Sequence, residues 1–540
     1  MKRIGFVIVV MMMVALEGMA YTIPWSWAKR AGGALNDIAS FIATDAFGNI
    51  YSVGNFYSDS ITFGTTTLYN HSYDTADIYL VKYDPNGNVL WAQSAGGTDE
   101  DYAQAIQVDI FGDIYISGWT RNSSITFGSV TLVNTSINDV NSFIVKYDSN
   151  GNVLWAKFIN RSGGTIISTD NFGNIYGFGR FYGTFIIFGN DTLTNLGIDN
   201  IFLVKFDSSG NELWAKRIGG GGFDYVNGIT FDNSGNILVD GYYGDASIIL
   251  SADTLHNIDT ETDIFIAKYN SNGNLLWAQR VGGKYYDFGG PIVTDVYENI
   301  YLAGTSSIDT LFFGTHYIIM GNNSEGFLVK FDSNGNFIWA FNLGEGFSFI
   351  TSLCVDNLNN IFLYGYVQDT FNYYHIFLTK DGPNANYLLS QTFGISGFNT
   401  SGSATLDVSG NLYLSGNFTC DTIIFGFDTL FNDTIGGTKD LFFAKIGNSI
   451  TDILKNSQPN NSVLIYPNPA NTILNIHLLN SQLSTLHSQL IITDVLGNEV
   501  YAETLTGIDN GISIAKWCEG VYFYEIIGGN ESARGMFIKQ

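Results

Sequence analysis

The chain has 540 residues, and 24 Lys and Arg against 50 Asp and Glu give it a formal charge of −26. So acidic a surface is repelled by a phosphate backbone, and no Lys/Arg-rich run offsets it, which excludes nucleic acid as a partner; the charge serves solubility. The three cysteines (Cys354, Cys420, Cys518) have no paired spacing, and the six histidines (His71, His256, His316, His375, His477, His487) are scattered. No metal, cofactor or catalytic residue is assigned on this basis, and stability falls to apolar burial, for which 45 % hydrophobic residues are ample.

At the N-terminus, Lys2 and Arg3 precede an apolar stretch, Ile4 to Leu16, too short to span a bilayer, and Gly18-Met19-Ala20 supplies a small-residue exit. Residues 1–20 therefore read as an export signal. No later apolar run reaches membrane-spanning length, so no transmembrane segment is expected.

A repeat then runs through the chain. An Asp is followed four residues later by Asn or Asp, then by Ile or Leu, then by an aromatic residue or Leu, with Gly nine residues after the Asp. The seven copies begin at Asp45, Asp109, Asp170, Asp232, Asp295, Asp356 and Asp407, at spacings of 64, 61, 62, 63, 61 and 51 residues. A short segment before each Asp, a turn and an alternating return predict one hairpin. A second hairpin follows, as in Asp77 to Tyr83, the turn Asp84-Pro85-Asn86-Gly87-Asn88, and Val89 to Ala92. Trp27, Trp91, Trp155, Trp214, Trp277 and Trp339 mark its last strand. Each unit thus predicts four antiparallel strands that bury their faces only by stacking on neighbours.

Between second and third strands, Phe63-Gly64, Phe127-Gly128, Phe188-Gly189, Phe313-Gly314 and Phe425-Gly426 predict an extra short β element that the sixth unit lacks. The last unit stops at a third strand, Leu441 to Ile446, while Trp25 to Lys29 is a fourth strand without a unit. Pairing the two closes a ring of seven and leaves no raw edge. With its D-x-x-G-N-[IL]-Y and N-G-N-x-L-W-A patterns, the stretch 21–447 resembles the seven-bladed β-propeller repeat of exported bacterial proteins, a resemblance that implies the fold and leaves function open.

Residues 448–462 read as a polar linker, and 463–540 as short alternating strands of a small immunoglobulin-like β-sandwich. The ordered Tyr466-Pro467-Asn468-Pro469-Ala470, Ile492 to Val500, Gly520 to Tyr524 and Phe537 to Gln540 resemble the type A C-terminal sorting domain of the type IX secretion system. That resemblance implies a Bacteroidetes-type bacterium, the type IX machinery as a partner, and delivery through the periplasm to the outer surface or the medium. Ala515 to Glu519 departs from the apolar lead usual before the Gly.

The seven Asp residues read as caps of their own turns, against a ring that binds cations. The runs at Asp84, Asp148 and Asp332 read as hairpin turns and lack the Glu of a calcium loop. Asp-Thr-Leu at Asp191, Asp253, Asp309 and Asp428 reads as a strand entrance, with an O-glycosylation acceptor as the alternative. Asp99/Glu100/Asp101 and Glu261/Asp263 read as solvated loop charge. Two functions remain: a monomeric, non-enzymatic surface scaffold that binds a glycan or protein on the propeller face, or a secreted polysaccharide hydrolase or lyase.

Overall fold

The computed structural model describes residues 23–447, apart from 73–74, 135–139, 252, 259–260, 346–348, 370–371, 386, 395–396 and 434–436. Of the C-terminal part it describes 463–466, 472–478, 488–493, 499–505, 507, 509–517, 520–528 and 531–539. The expected signal (1–20) and linker (448–462) lie outside the described residues. The described chain is all-β and divides into two compact units between Gly447 and Asn448.

Each repeat becomes a module of four antiparallel strands, a to d, paired in sequence order. Module 1 comprises Asp37–Thr44, Ile50–Phe56, Asp77–Tyr83 and Val89–Ala95; module 2 comprises Asp101–Val108, Ile114–Thr120, Asn141–Tyr147 and Val153–Ile159. Module 3 has Ser162–Thr169, Ile175–Tyr182, Asp199–Phe206 and Glu212–Gly219; module 4 has Asp224–Phe231, Ile237–Tyr243, Asp263–Tyr269 and Leu275–Gly282. Module 5 has Asp287–Thr294, Ile300–Phe313, His316–Phe331 and Phe337–Glu345; module 6 has Phe349–Val355, Ile361–Gln368, Tyr374–Asp381 and Tyr387–Phe393. Module 7 takes a to c from Thr400–Leu406, Leu412–Phe418 and Asp440–Ile446, and beside Asp440–Ile446 lies Trp25–Ala31, antiparallel, with Ala28 opposite Ala444. Strand a of each module contacts strand a of the next, and 7a contacts 1a.

The a–b and c–d turns lie at one end of every module, here called the lower end; the b–c and d–a connections lie at the upper end. Strands b and c are almost wholly buried, because modules cover both of their faces. The repeat glycine has a steric cause. Each strand a bulges opposite it, and a Cβ added to Gly118 would sit 2.0 Å from the Tyr102 carbonyl oxygen and 2.5 Å from Phe143. Only Gly admits so close an approach.

The extra element is a hairpin in modules 1, 2, 3, 4 and 7, and an extension of strands 5b and 5c. Its inward side chains alternate with solvent-facing ones: Ile61 and Phe63, Ile125 and Phe127, and Ile423 and Phe425 are buried. The hairpin also pairs with the end of the preceding strand d, as Gly219 does with Ile249 and Gly282 with Phe312. It thereby covers the outer edges that would otherwise present free backbone groups. Module 6 passes directly from b to c, as the sequence implies.

In the C-terminal unit, Val463–Tyr466, Ile473–Leu478 and Asp509–Ser513 form one sheet. Glu499–Leu505, Ser488–Thr493, Gly520–Gly528 and Glu531–Lys539 form a second. Leu474, Ile476, Leu490, Ile492, Ile512 and Ile526 from both sheets share one core, the arrangement of a sandwich.

Candidate binding face at the upper end

At the lower end, the repeat Asp residues are occupied by their own turns. Asp45 accepts from the amides of Phe47 and Asn49 at 2.9 Å through Oδ1, and from Asn49 Nδ2 at 2.7 Å and Tyr51 Oη at 3.1 Å through Oδ2. Asp109, Asp170, Asp295 and Asp407 repeat the pattern with Tyr115, Tyr176, Tyr301 and Tyr413. Where Leu238 replaces the tyrosine, Lys268 pairs with Asp232 at 2.7 Å, closer than the equivalent Lys205–Asp170 and Lys330–Asp295 pairs at 3.7 and 3.4 Å. Asp84, Asp148 and Asp332 accept from their turn amides and from Asn88, Asn152 and Asn336 in the same way. Carboxylates spent on two to four donors are turn caps.

Asp191, Asp253 and Asp428 begin the second arm of the edge hairpins, as expected of a strand entrance, whereas Asp309 lies inside the extended strand 5b. Asp191 and Asp428 also accept the edge amides of Ala215 and Ala28, at 2.8 and 2.7 Å.

At the upper end the structure corrects one expectation. Asp101 and Asp263, read as solvated loop charge, are 0 % exposed. They begin strands 2a and 4c, where the connection folds back over their carboxyls. The same burial recurs at junctions, with Asp440 beside Asp37, Asp77 beside Asp101 and Asp263 beside Asp287, and a partly buried Asp199 stands beside the buried Asp224. Burial pushes Asp37, Asp101, Asp224 and Asp287 up to about 7 and Asp440 up to about 6, and the neighbouring carboxyl adds to the rise at Asp37, Asp101, Asp224 and Asp287. Hydrogen bonds from Ser58 Oγ to Asp37 (2.9 Å), Asn122 Nδ2 to Asp101 (2.9 Å), the Gly220 amide to Asp224 (3.0 Å) and the Gly283 amide to Asp287 (2.6 Å) fix them as structural groups.

Next to these acids along strand a stands a set of aromatic side chains that sequence reading missed. A residue near the start of strand a faces the residue after the repeat glycine on strand b. Three modules place rings at both positions: Tyr102 on Trp119 at 4.5 Å and 25°, Tyr225 on Tyr242 at 4.7 Å and 12°, and Phe349 on Tyr366 at 4.7 Å and 10°. Neighbours extend each stack. Arg121 lies over Trp119 at 5.7 Å, Arg180 over Tyr225 at 4.1 Å, Phe288 edge-on to Tyr242 at 5.0 Å, and Tyr374 edge-on to Tyr366 at 5.3 Å. These rings are partly exposed, and Phe349 is 42 % exposed. In modules 1 and 7 the same position holds Asn55 and Asn417, whose side chains accept the amides of Ala103 and Ala39 in the next module at 2.9 and 2.7 Å. The sequence signal was available: beside an unvarying glycine the next residue runs Asn55, Trp119, Arg180, Tyr242, Thr305, Tyr366, Asn417.

Such a face offers flat, polarisable surfaces. Burial raises the pKa of Tyr102, Tyr242 and Tyr366, so these hydroxyls stay protonated. His375 has both ring nitrogens engaged, with the Gly394 carbonyl at 2.6 Å and Asp369 at 3.0 Å, and His71 sits 2.5 Å from Asp77.

Residues 464–540 match the secretion system C-terminal sorting domain family. The C-terminal unit is thus a sorting domain of the type IX pathway, and the protein is exported to the cell surface or secreted. Among the described residues, no helix is long and apolar enough to cross a membrane. The chain is 26 % identical over 462 residues to an uncharacterized WD repeat-containing protein of Acanthamoeba polyphaga mimivirus, covering 69 % of this chain and 33 % of that protein; it spans about a third of that relative's length. Among solved structures it resembles a polysaccharide lyase, an ulvan lyase, at 14 % identity and a TM-score of 0.41, covering 72 % of this chain and 93 % of the lyase. It also resembles PorZ, a surface component of the type IX secretion system of Porphyromonas gingivalis, at 10 % identity and a TM-score of 0.25, covering 93 % of this chain and 81 % of PorZ.

Proposed function

We propose that the protein is an exported, monomeric and non-enzymatic binding scaffold: a seven-bladed β-propeller, residues 21–447, that holds a glycan on the aromatic platforms of its upper face. Residues 1–20 act as the export signal, 448–462 as the linker, and 463–540 as the handle for the type IX machinery. Seven blades and closure are supported by the pairing of Trp25–Ala31 with Asp440–Ile446 and by the contact of strand 7a with 1a.

The observation that carries the glycan reading is the trio of stacked pairs at one register in modules 2, 4 and 6. A pyranose ring presents C–H groups on its flat faces, which the negative face of an aromatic ring attracts, while Tyr and Arg groups at the edge bond its hydroxyls. Such pairs hold their rings rigid by packing, so little conformational entropy is lost on binding. Purified protein assayed against a glycan panel for both binding and bond cleavage tests the reading. Binding without cleavage is expected; cleavage abolished by one upper-face substitution returns the hydrolase or lyase.

A further inference from the structure

The junction of modules 2 and 3 breaks the repeat on both of its walls. Between modules 1 and 2, 3 and 4, and 4 and 5, a Gly pair at the exit of strand d (Gly96-Gly97, Gly219-Gly220, Gly282-Gly283) leads to a buried Asp at the start of strand a. Here Asn160-Arg161 alone joins 2d to 3a, and the buried positions hold the uncharged Asn141 and Ser162. Arg161 adopts a left-handed φ of 58°. Its amide donates to Asn141 Oδ1 at 2.8 Å and its carbonyl accepts from the Tyr182 amide at 3.1 Å, so the backbone is held on both sides.

The facing wall departs as well. The edge hairpins of modules 1, 2, 4 and 7 begin with Ser60, Ser124, Ser247 and Thr422, whereas that of module 3 begins with Phe185, which is 41 % exposed. The Arg161 guanidinium lies over this ring at 5.7 Å. Together they line a cleft of about 290 Å³ with Phe158, Ile159, Phe206 and Glu212. Glu212 is engaged by Lys157 at 2.8 Å. Although the chain has 50 acidic residues, Arg161 makes no ion pair among the described residues.

We propose that this cleft is a subsite for a hexuronate residue of a polysaccharide, its ring face against Phe185 and its carboxylate on the guanidinium fork of Arg161. It rests on the reading that the upper face receives a glycan. A planar fork matches a carboxylate through two parallel hydrogen bonds, and an aromatic ring beside it matches the pyranose that carries that carboxylate. A neutral sugar leaves the guanidinium without a counter-charge.

Calorimetric titration of the full protein with tetrasaccharides of galacturonate and mannuronate, and with their neutral galactose and mannose counterparts, tests this. At least one uronate is expected to bind roughly tenfold or more tighter than its neutral counterpart, as for a hydrogen bond to a charged group. Arg161→Gly is expected to erase that preference while raising the melting temperature, because Gly occupies the left-handed region without strain; loss of folding therefore does not account for the effect. Equal affinity for uronate and neutral probes, binding of none of them, or an undiminished preference in Arg161→Gly overturns the subsite. Trp119→Ala and Tyr225→Ala in the same titrations test the platforms separately. If they change nothing while Arg161→Gly erases the preference, the subsite stands and the platform reading falls.

Discussion

The Trp27 indole donates to the Pro85 carbonyl at 3.2 Å, and its ring covers Gly87, where an added Cβ would sit 2.9 Å away. Trp155 stands in the same relation to Ser208 and Gly210, and Trp214 to Ser271 and Gly273. The tryptophan of one module is therefore a staple onto the c–d turn of the next. In Trp27 that staple joins the N-terminal strand to module 1, as the proposed closure requires. Lys445 reaches the same Pro85 carbonyl at 3.0 Å.

Trp27→Ala is expected to destabilise the protein by about 3–5 kcal/mol, the cost of a large aromatic truncation in a core, and deletion of 23–31 by more. Thermal melts followed by circular dichroism measure both. Unchanged melting of the deletion contradicts closure by this strand.

The buried junction acids reverse the usual pH dependence over part of the range. Asp37, Asp101, Asp224 and Asp287 titrate near 7 when folded and Asp440 near 6, against 3.8 as the ordinary value. Between about pH 4 and 7 the folded protein holds more protons than the unfolded chain, so its stability declines as pH rises through that window. Below it, the turn caps Asp84, Asp148 and Asp332, whose burial penalty is outweighed by their asparagine and amide donors together so that they are held low, lose their stabilising contribution. Melting temperature is therefore expected to peak near pH 4–5 and to fall toward pH 8; a flat or rising profile over pH 5–8 contradicts the assignment. Asp240, fully buried in strand 4b with its pKa well above the usual range, sharpens the test. Asp240→Asn is expected to be near neutral at pH 5 and stabilising at pH 8.

The lower end was legible in the sequence, and the upper end was not. Asp45, Asn49 and Gly54 recur because turn capping and bulge sterics impose the same demand in every module, and periodicity exposes such demands. Trp119, Tyr242 and Tyr366 occupy a position with no common demand, so they vary, and a search for repeated chemistry passes over them. Asp101 and Asp263 were misread because local sequence shows charge but not the connection that folds back over it.

Turn geometry gives a local prediction. The edge hairpins of modules 1, 2, 3 and 7 turn at Gly64, Gly128, Gly189 and Gly426, all at positive φ, but that of module 4 turns at Ser251 with φ 58°. Ser251→Gly is expected to stabilise by about 1 kcal/mol, whereas Gly118→Ala, which drives a Cβ into the Tyr102 carbonyl, is expected to cost about 2–4 kcal/mol. Denaturant titration separates the two; equal effects contradict the steric account.

Export gives a cellular prediction. Removing 463–540 is expected to leave the protein folded in the periplasm, since 1–447 and the C-terminal unit have separate cores. Fusing 449–540 to a periplasmic reporter is expected to carry it outside a host with the type IX pathway. Fractionation with an antibody against residues 23–447 reads the outcome, and surface delivery of the truncated protein contradicts the handle.

The stacked rings at one register are proposed to bind a glycan, and calorimetry on the triple variant Trp119→Ala, Tyr242→Ala, Tyr366→Ala, using whichever glycan the intact protein binds best, decides it. These rings are partly exposed at the upper end, so the variant is expected to keep its circular dichroism spectrum and to lose affinity by at least tenfold, since each stack contributes about 1 kcal/mol. Undiminished affinity in a folded triple variant contradicts binding on the stacked rings.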